Sequence, residues 1–579
     1  THTDMVEGER FSSLLKIKKP KEYYYPENEL KEIYKKILLA DEADWSSYSS
    51  VTEPDGLQAR GQRFEEAAFV YQAAINAREV AENVRSNISE LASPNTKTGI
   101  VVTNSLSWAR SGIVNVSVPL KLFDGKKNMQ IVDSETGKRM PSQFTEPDVQ
   151  TNDLKMVFKA ENIPPLGFKT YDLIPTDKED NKDICATGSG EIENEFYKVK
   201  YNPESGEIDS ILDRGLKEEL IDSKSNCSFN QLIYESPEKP RFVSLKDHMG
   251  GLPEDVLFLQ PYYISLHDYY FYPVKGEKLN RWSPEDQKIL SIKRGEIYTE
   301  IITRSSTHMC PEAVSHFILN NHFKEIIIKN YLVKTETLEA EALYYAFPFN
   351  VANPKMRLHC HGGYFEPEAE QLPGSSKDWY CAQKWIDVGN DKVDILWSPV
   401  EAPLVQLCQI NTGKWLDNIT IDNGTIFSYA MNNYWWTDSP ASQGGRFWFS
   451  YAITSKGPGF DSVYANRFGY SVHIPLSAAV IEDKDSLAKY KTYSPIGEIP
   501  ENIMVTGLKK AEVGEGFIVR LIEVSGRKCS FKLKFTDKNI KKAFLASPVE
   551  EDVKSLNIVD GIIKILLNPF ELATLKVVF

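Results

Sequence analysis

Apolar positions near the start of the chain recur at helical spacing. In Glu29–Leu39, ELKEIYKKILL, the residues Leu30, Ile33, Tyr34, Ile37 and Leu38 fall three and four apart, which predicts a helix with one apolar face. Gly61–Leu91 is rich in Ala, Glu and Arg, and places Phe64, Ala67, Ala68, Tyr71, Ala74, Ile75 and Val84 where a longer helix would pack on its neighbours. Ser93-Pro94-Asn95 stops it. The residues that open the chain, His2-Thr3-Asp4 and then the polar run MVEGER, read as a frayed end. A segment of roughly 60 residues lies near the lower limit for a self-sufficient core, so the helices of 29–92 are expected to dock onto the β-rich remainder of the chain.

Beyond Pro94 the period changes from helical to two. GIVVTNSLSW, IVNVSVPL, MQIVDSE, FKTYDLIP and NEFYKVKYNPESGEIDSILD are short β-rich runs separated by turn residues such as Asn202-Pro203 and Ser205-Gly206. Strands recur to Phe579 without amphipathic helices between them, which predicts antiparallel sandwiches and not βαβ units. The charged stretch Lys178–Lys182 and the region Glu482–Ser486 mark boundaries. The chain therefore divides into a helical bundle over 1–93, a small β-sandwich over 94–178, a central β region over 179–483 and a terminal β-sandwich over 484–579. The class is mainly β with an N-terminal α-helical bundle.

Composition narrows the partners. At 579 residues the chain exceeds one hydrophobic core, which agrees with the division into four regions. A net charge of -14 argues against nucleic acid and anionic membrane, because neither electrostatic footprint is present. No apolar run is long enough to cross a bilayer. The seven cysteines are scattered, odd in number and free of C-x-x-C pairs, a pattern that suits a reducing compartment and a cytoplasmic location.

A resemblance sharpens the reading. The helical segment, then NSLSWARSGIVNVSVP (Asn104–Pro119), IPPLGFKTY (Ile163–Tyr171), ENEFYKVKYNPESGEIDSILD (Glu193–Asp213), EALYYAFPF and the ending LNPFELATLKVVF resemble, in this order, the part of family 38 glycoside hydrolases, the α-mannosidases, that lies C-terminal to their catalytic domain. The resemblance implies that the central region is a galactose-mutarotase-like β supersandwich. It also implies a retaining α-mannosidase-like glycosidase whose zinc, H-x-D pair and aspartate nucleophile sit in an N-terminal catalytic domain apparently absent from this chain. Zinc is thus expected in the complete enzyme and not in this chain alone. The expected partners are a glycan or mannoside, that catalytic domain, and a second copy of the chain. The rival reading is a stand-alone carbohydrate-binding or assembly module without hydrolase activity.

Few residues qualify as candidate chemistry. His2-Thr3-Asp4 has H-x-D spacing but lacks the buried strand that would hold metal ligands, so it reads as coincidence. Aligning Asp41–Trp45 with the family's helical histidine motif puts Ala43 at the ligand position, and a methyl group cannot bind zinc. His359 and His361 would share one face of a strand, but no third ligand is near, and plain strand histidines are favoured. Two stretches combine amides with aromatics. QLPGSSKDWYCAQKW contributes Gln371, Asp378 and Trp379; NNYWWTDSPASQGGRFWFSY contributes Asn433, Trp436, Gln443 and Arg446. Aromatic faces stack on pyranose rings and amides or carboxylates bind hydroxyls, so these seven are the candidate substrate-binding residues. The same materials serve an inter-domain core, with Trp435, Trp436 and Trp448 buried. The strand-like WIDVGNDKVDILW would carry the first stretch on a rigid sheet, at a cleft facing the catalytic domain. No catalytic residue can be named from spacing.

Overall fold

The computed structural model describes residues 2–41, 55–145, 153–177, 184–185, 190–238, 278–412, 414, 416–434, 440, 442–482 and 490–579. Ala43 and its acidic neighbours Glu42 and Asp44, the connector Lys178–Lys182, Trp435 and Trp436 lie outside the described residues.

The first helix is one that periodicity missed. Helix α1 (His2–Lys18) is not frayed: Met5, Phe11, Leu14, Leu15 and Ile17 are buried. So are Glu7, Arg10, Ser12 and Ser13, which is why no apolar stripe marks it. The buried polar groups have partners. The Glu7 carboxylate takes the Arg85 guanidinium at 2.7 Å and the hydroxyls of Thr103 and Ser477 at 2.8 and 3.0 Å. Ser13 Oγ donates to the Leu508 carbonyl at 3.1 Å. A buried polar helix is tolerable only on such terms.

Helices α2 (Glu27–Ala40) and α3 (Leu57–Ser89) cover the predicted segments. The buried side of α3 is nevertheless Ala59, Ala73, Ala77, Val80, Ala81, Val84 and Ile88. Phe64, Tyr71 and Ile75, expected to pack on neighbouring helices, are 75%, 70% and 56% exposed, because α1 and α2 contact the alanine-rich side instead. Small side chains permit that close approach, as where Gly8 of α1 meets Val80. Between the helices, Met5, Leu30, Ile33, Ala77 and Val80 belong to a small cluster. A larger one docks the bundle: Phe11, Leu14, Leu15, Val84 and Ile88 share it with Val505, Leu508, Leu533 and Leu575 of the terminal sandwich.

The strand pairs among the described residues are antiparallel, and most β runs identified in the sequence are strands. In the first sandwich the strand Thr98–Asn104 pairs with Gly167–Thr176 on one side and with Ser477–Glu482 on the other, so the chain returns to it after the central region. The central region is a supersandwich. A ten-stranded sheet running from Gly363–Phe365 to Ile184–Cys185 packs against a six-stranded sheet of Leu279–Trp282, Gln231–Pro237, Ala342–Phe349, Gly424–Asn432, Leu404–Leu407 and Tyr380–Cys381, with a four-stranded sheet beside them. Their inner faces share one core that includes Phe317, Phe347, Trp397 and Tyr451.

Two details depart from the pattern. WIDVGNDKVDILW is a hairpin of Ile386–Gly389 and Asp394–Pro399, turned where Asn390 N–H donates to the Val393 carbonyl at 3.0 Å. A further helix, α4 (Ser462–His473), interrupts the strands; Asp461 caps it by accepting from the N–H groups of Val463 and Tyr464. It packs on the fully buried Trp385 through Ala465 and Gly469.

Candidate aromatic and carboxylate site

Residues of the strand Ala342–Phe349 alternate between two faces of the six-stranded sheet. Leu343, Tyr345, Phe347 and Phe349 enter the inter-sheet core, while Ala342, Tyr344 and Ala346 join Ile233, Phe427, Tyr429 and Tyr434 in a separate cluster on the opposite face. Tyr344 and Tyr429 stack with centroids 4.8 Å apart and planes 7° apart. Trp379 packs at the edge, 6.5 Å from Tyr429.

A carboxylate lies within this buried aromatic cluster. Glu235 is fully buried and accepts from Arg281 Nε at 2.7 Å, Tyr434 Oη at 2.9 Å and Tyr344 Oη at 3.4 Å. Tyr344 also meets Thr412 Oγ1, which accepts from Gln406 Nε2 at 3.3 Å. Burial, and then the Glu235 charge, push the phenols of Tyr344, Tyr429 and Tyr434 well above their usual range, so they stay protonated, and Tyr344 and Tyr434 donate to Glu235. Burial also raises Asp378, against the opposing bond from Ser376. Lys414 is lowered by burial first and by Arg281 next. Fully buried and engaged by a guanidinium and two phenols, Glu235 is not placed for nucleophilic attack, and the half-buried Trp379 and Asp378 at the rim are the groups that can meet a hydroxyl-bearing ligand.

The candidate residues separate into three places. Asp378 and Trp379 lie at the aromatic face, with Gln371 behind them accepting from Lys377 Nζ at 2.8 Å. Asn433 is a clasp: its Oδ1 accepts from Glu341 N at 2.7 Å and its Nδ2 donates to the Glu339 carbonyl at 2.8 Å, which positions the adjacent Tyr434. Gln443 borders a small recess with Lys334 and Glu341. Arg446 is exposed on the ten-stranded sheet opposite Val333. Trp448 is half exposed against Tyr331, and so is not part of an inter-domain core. Trp436 lies outside the described residues. Glu235, Arg281, Tyr344 and Tyr429 carry no motif that would single them out in the sequence; YY within EALYYAFPF was their one local sign.

Residues 192–395 match the family model for the glycosyl hydrolases family 38 C-terminal domain, and residues 502–575 match that for the family's C-terminal beta sandwich domain. The chain carries the C-terminal domains of glycosyl hydrolase family 38. Among solved structures it is similar to an α-mannosidase from Enterococcus faecalis V583, at 13% identity and a TM-score of 0.69 over 99% of this chain and 66% of that one. It is also similar to a protein in the glycosyl hydrolase family 38 from Enterococcus faecalis, at 14% identity and a TM-score of 0.69 over 98% of this chain and 68% of that one. At such identities the likeness is one of fold, and the chain spans about two thirds of the length of these relatives. No curated protein matches it by sequence.

Within the family 38 domains, Glu235, Arg281, Tyr344 and Trp379 all fall inside the segment 192–395. The described residues do not fit the zinc that the family resemblance implies, since no group of three or more His, Cys, Asp and Glu side chains among them is placed to hold a metal ion. His359 and His361 do not share a strand face, because the strand ends at Cys360 and His361 sits in the next turn at φ 40°. His359 is buried between Trp385 and Tyr470, at centroid distances of 5.6 and 5.8 Å. No helix among the described residues is long and apolar enough to cross a membrane.

Proposed function

We propose that this chain is the helical and β portion of an α-mannosidase-like glycoside hydrolase acting on α-mannosides or related glycans, and that it borders the sugar without performing the chemistry. The observation that carries the proposal is the half-buried Trp379 at the rim of the Tyr344–Tyr429 stack around Glu235, with Trp379, Tyr344 and Glu235 inside a matched family 38 domain. The half-buried Trp379 can offer a ring face to pyranose C–H groups, and the neighbouring Asp378 carboxylate can bind hydroxyls. Zinc and the attacking carboxylate belong, in this proposal, to a catalytic domain that completes the enzyme. The same surface supports the rival reading, in which the chain binds glycan on its own.

The test is an assay of the 579-residue chain with an activated aryl α-mannoside and added zinc, beside affinity electrophoresis in mannan. No turnover above buffer is expected. Turnover abolished by a chelator overturns the non-catalytic assignment. Trp379→Ala and Asp378→Ala are expected to leave the melting temperature near that of the parent, because both side chains lie at the edge of the cluster, and to weaken retention by mannan about tenfold, the scale of one lost stacking or charged hydrogen-bond contact. A large fall in melting temperature would show instead that the loop staples the sheet.

A further inference from the structure

A second cleft lies on the other side of the same sheet. It opens between the strand Gln231–Pro237 and the strands Tyr298–Thr307, Cys310–Asn320 and Ile326–Lys334, and encloses about 380 Å³. That volume falls in the range of small-molecule sites. Tyr345 reaches it from the core while its neighbour Tyr344 faces the aromatic site, so the two places are back to back.

The wall is built from paired amides. Asn230 Nδ2 donates to Asn330 Oδ1 at 3.0 Å, and Asn330 Nδ2 returns a bond to Asn230 Oδ1 at 2.8 Å. Ser315 Oγ donates to Asn330 Oδ1 at 2.7 Å and accepts from Asn230 Nδ2 at 2.8 Å. Asn230 holds its side chain there from a left-handed backbone at φ 59°, a conformation that asparagine tolerates better than most residues. With these bonds made, Asn330 Nδ2 still has an N–H to give, while Asn230 Oδ1 and Ser315 Oγ each keep a lone pair. The Tyr345 hydroxyl has no hydrogen-bond partner among the described residues although the residue is only 3% exposed. That hydroxyl is closed off in the inter-sheet core, so the Asn230, Ser315 and Asn330 groups are the ones that can offer bonds to a ligand. Phe229, Ile301 and Phe317 supply the apolar side.

The lining has one charged member, Glu207, so an anion would be repelled and a cation would lose its water for a single carboxylate. We infer that this cleft binds an uncharged, pyranose-sized sugar through the Asn230–Ser315–Asn330 network. The inference goes beyond the proposed function, since it concerns a different face of the sheet.

The experiment is saturation-transfer NMR on the full chain carrying Trp379→Ala, which isolates this cleft from the aromatic face, with methyl α-mannoside and methyl β-galactoside as probes and glucuronate as the charged control. Saturable transfer from at least one neutral glycoside is expected, with none from glucuronate. Adding Asn330→Leu is expected to weaken binding about tenfold, and the milder Ser315→Ala about threefold, as for loss of single hydrogen bonds. Absence of transfer at ~50 mM glycoside, where even very weak sites fill, overturns the inference. Equal transfer from glucuronate, or binding unchanged by Asn330→Leu, overturns it as well. Transfer seen in the parent but lost in Trp379→Ala assigns binding to the aromatic face alone, which upholds the proposed function and removes this second site.

Discussion

Arg10→Ala will release helix α1 from the β domains. The guanidinium is buried and donates from Nη1 to the Ser105 carbonyl at 2.6 Å and from Nη2 to the Thr506 carbonyl at 2.9 Å, so one side chain ties the bundle to the first and the terminal sandwiches. Burial lowers its pKa to about 10, which still leaves it charged at neutral pH. Removing it strips one buried and one part-buried carbonyl of charged donors, at a cost of about 3–4 kcal/mol. Native-state hydrogen exchange reads this locally, without assuming that the whole chain unfolds in one step. At about 3–4 kcal/mol the α1 amides are expected to exchange roughly 100- to 700-fold faster, since each 1.4 kcal/mol is about a factor of ten. Arg10→Lys should fall between the two, because a single ammonium lacks the fork that spans both carbonyls. Unchanged exchange in Arg10→Ala would mean that apolar packing alone seats the helix.

The second large effect concerns acid. His359 is pushed down to about 3, by burial first and then by the charges of Lys384 and His361. His473, beside the same Lys384, is likewise lowered to about 3. A histidine that is neutral when folded but titrates near 6.5 when unfolded leaves the unfolded state holding more protons at acid pH. Its contribution is therefore fully present above about pH 6.5 and is lost as pH falls toward 3. For His359, which is 1% exposed, the loss between pH 7 and 4.5 is about 2–3 kcal/mol. His359→Phe keeps a ring between Trp385 and Tyr470 and removes the titration. Urea midpoints at the two pH values should be close to the parent's at pH 7 and clearly higher at pH 4.5. Equal acid sensitivity in the variant would place the titrating groups elsewhere.

Legibility in the sequence tracked the range of the interactions. Helices α2 and α3 were visible because the apolar positions of α2 and the alanine-rich run of α3 are local features. Helix α1 was not, because its polar residues Glu7, Arg10 and Ser13 are buried against Thr103, Ser105, Ser477 and Leu508, 95 to 495 residues away, and no local period records such partners. The apolar row Phe64, Tyr71 and Ile75 misled for the converse reason: period identifies a face but not what covers it. At the candidate site, Trp379 and Asp378 were visible as unusual loop composition. Glu235 was one acid among many, until strand pairing set it against Arg281 and the edge of the tyrosine stack.

The sequence by itself determined that the chain is mainly β with a helical start, that its sheets are antiparallel, and which segments carry aromatic and amide side chains. Alternation and turn residues act within a few positions, so they need no knowledge of the rest of the fold. Only the tertiary structure decided that Ser477–Glu482 returns to pair with Thr98–Asn104, that Tyr344 and Tyr345 join clusters on opposite faces of one sheet, and that Asn230 faces Asn330. Those relations depend on strand order, and strand order is set by which distant faces bury each other, a choice among long-range contacts that local pattern does not encode.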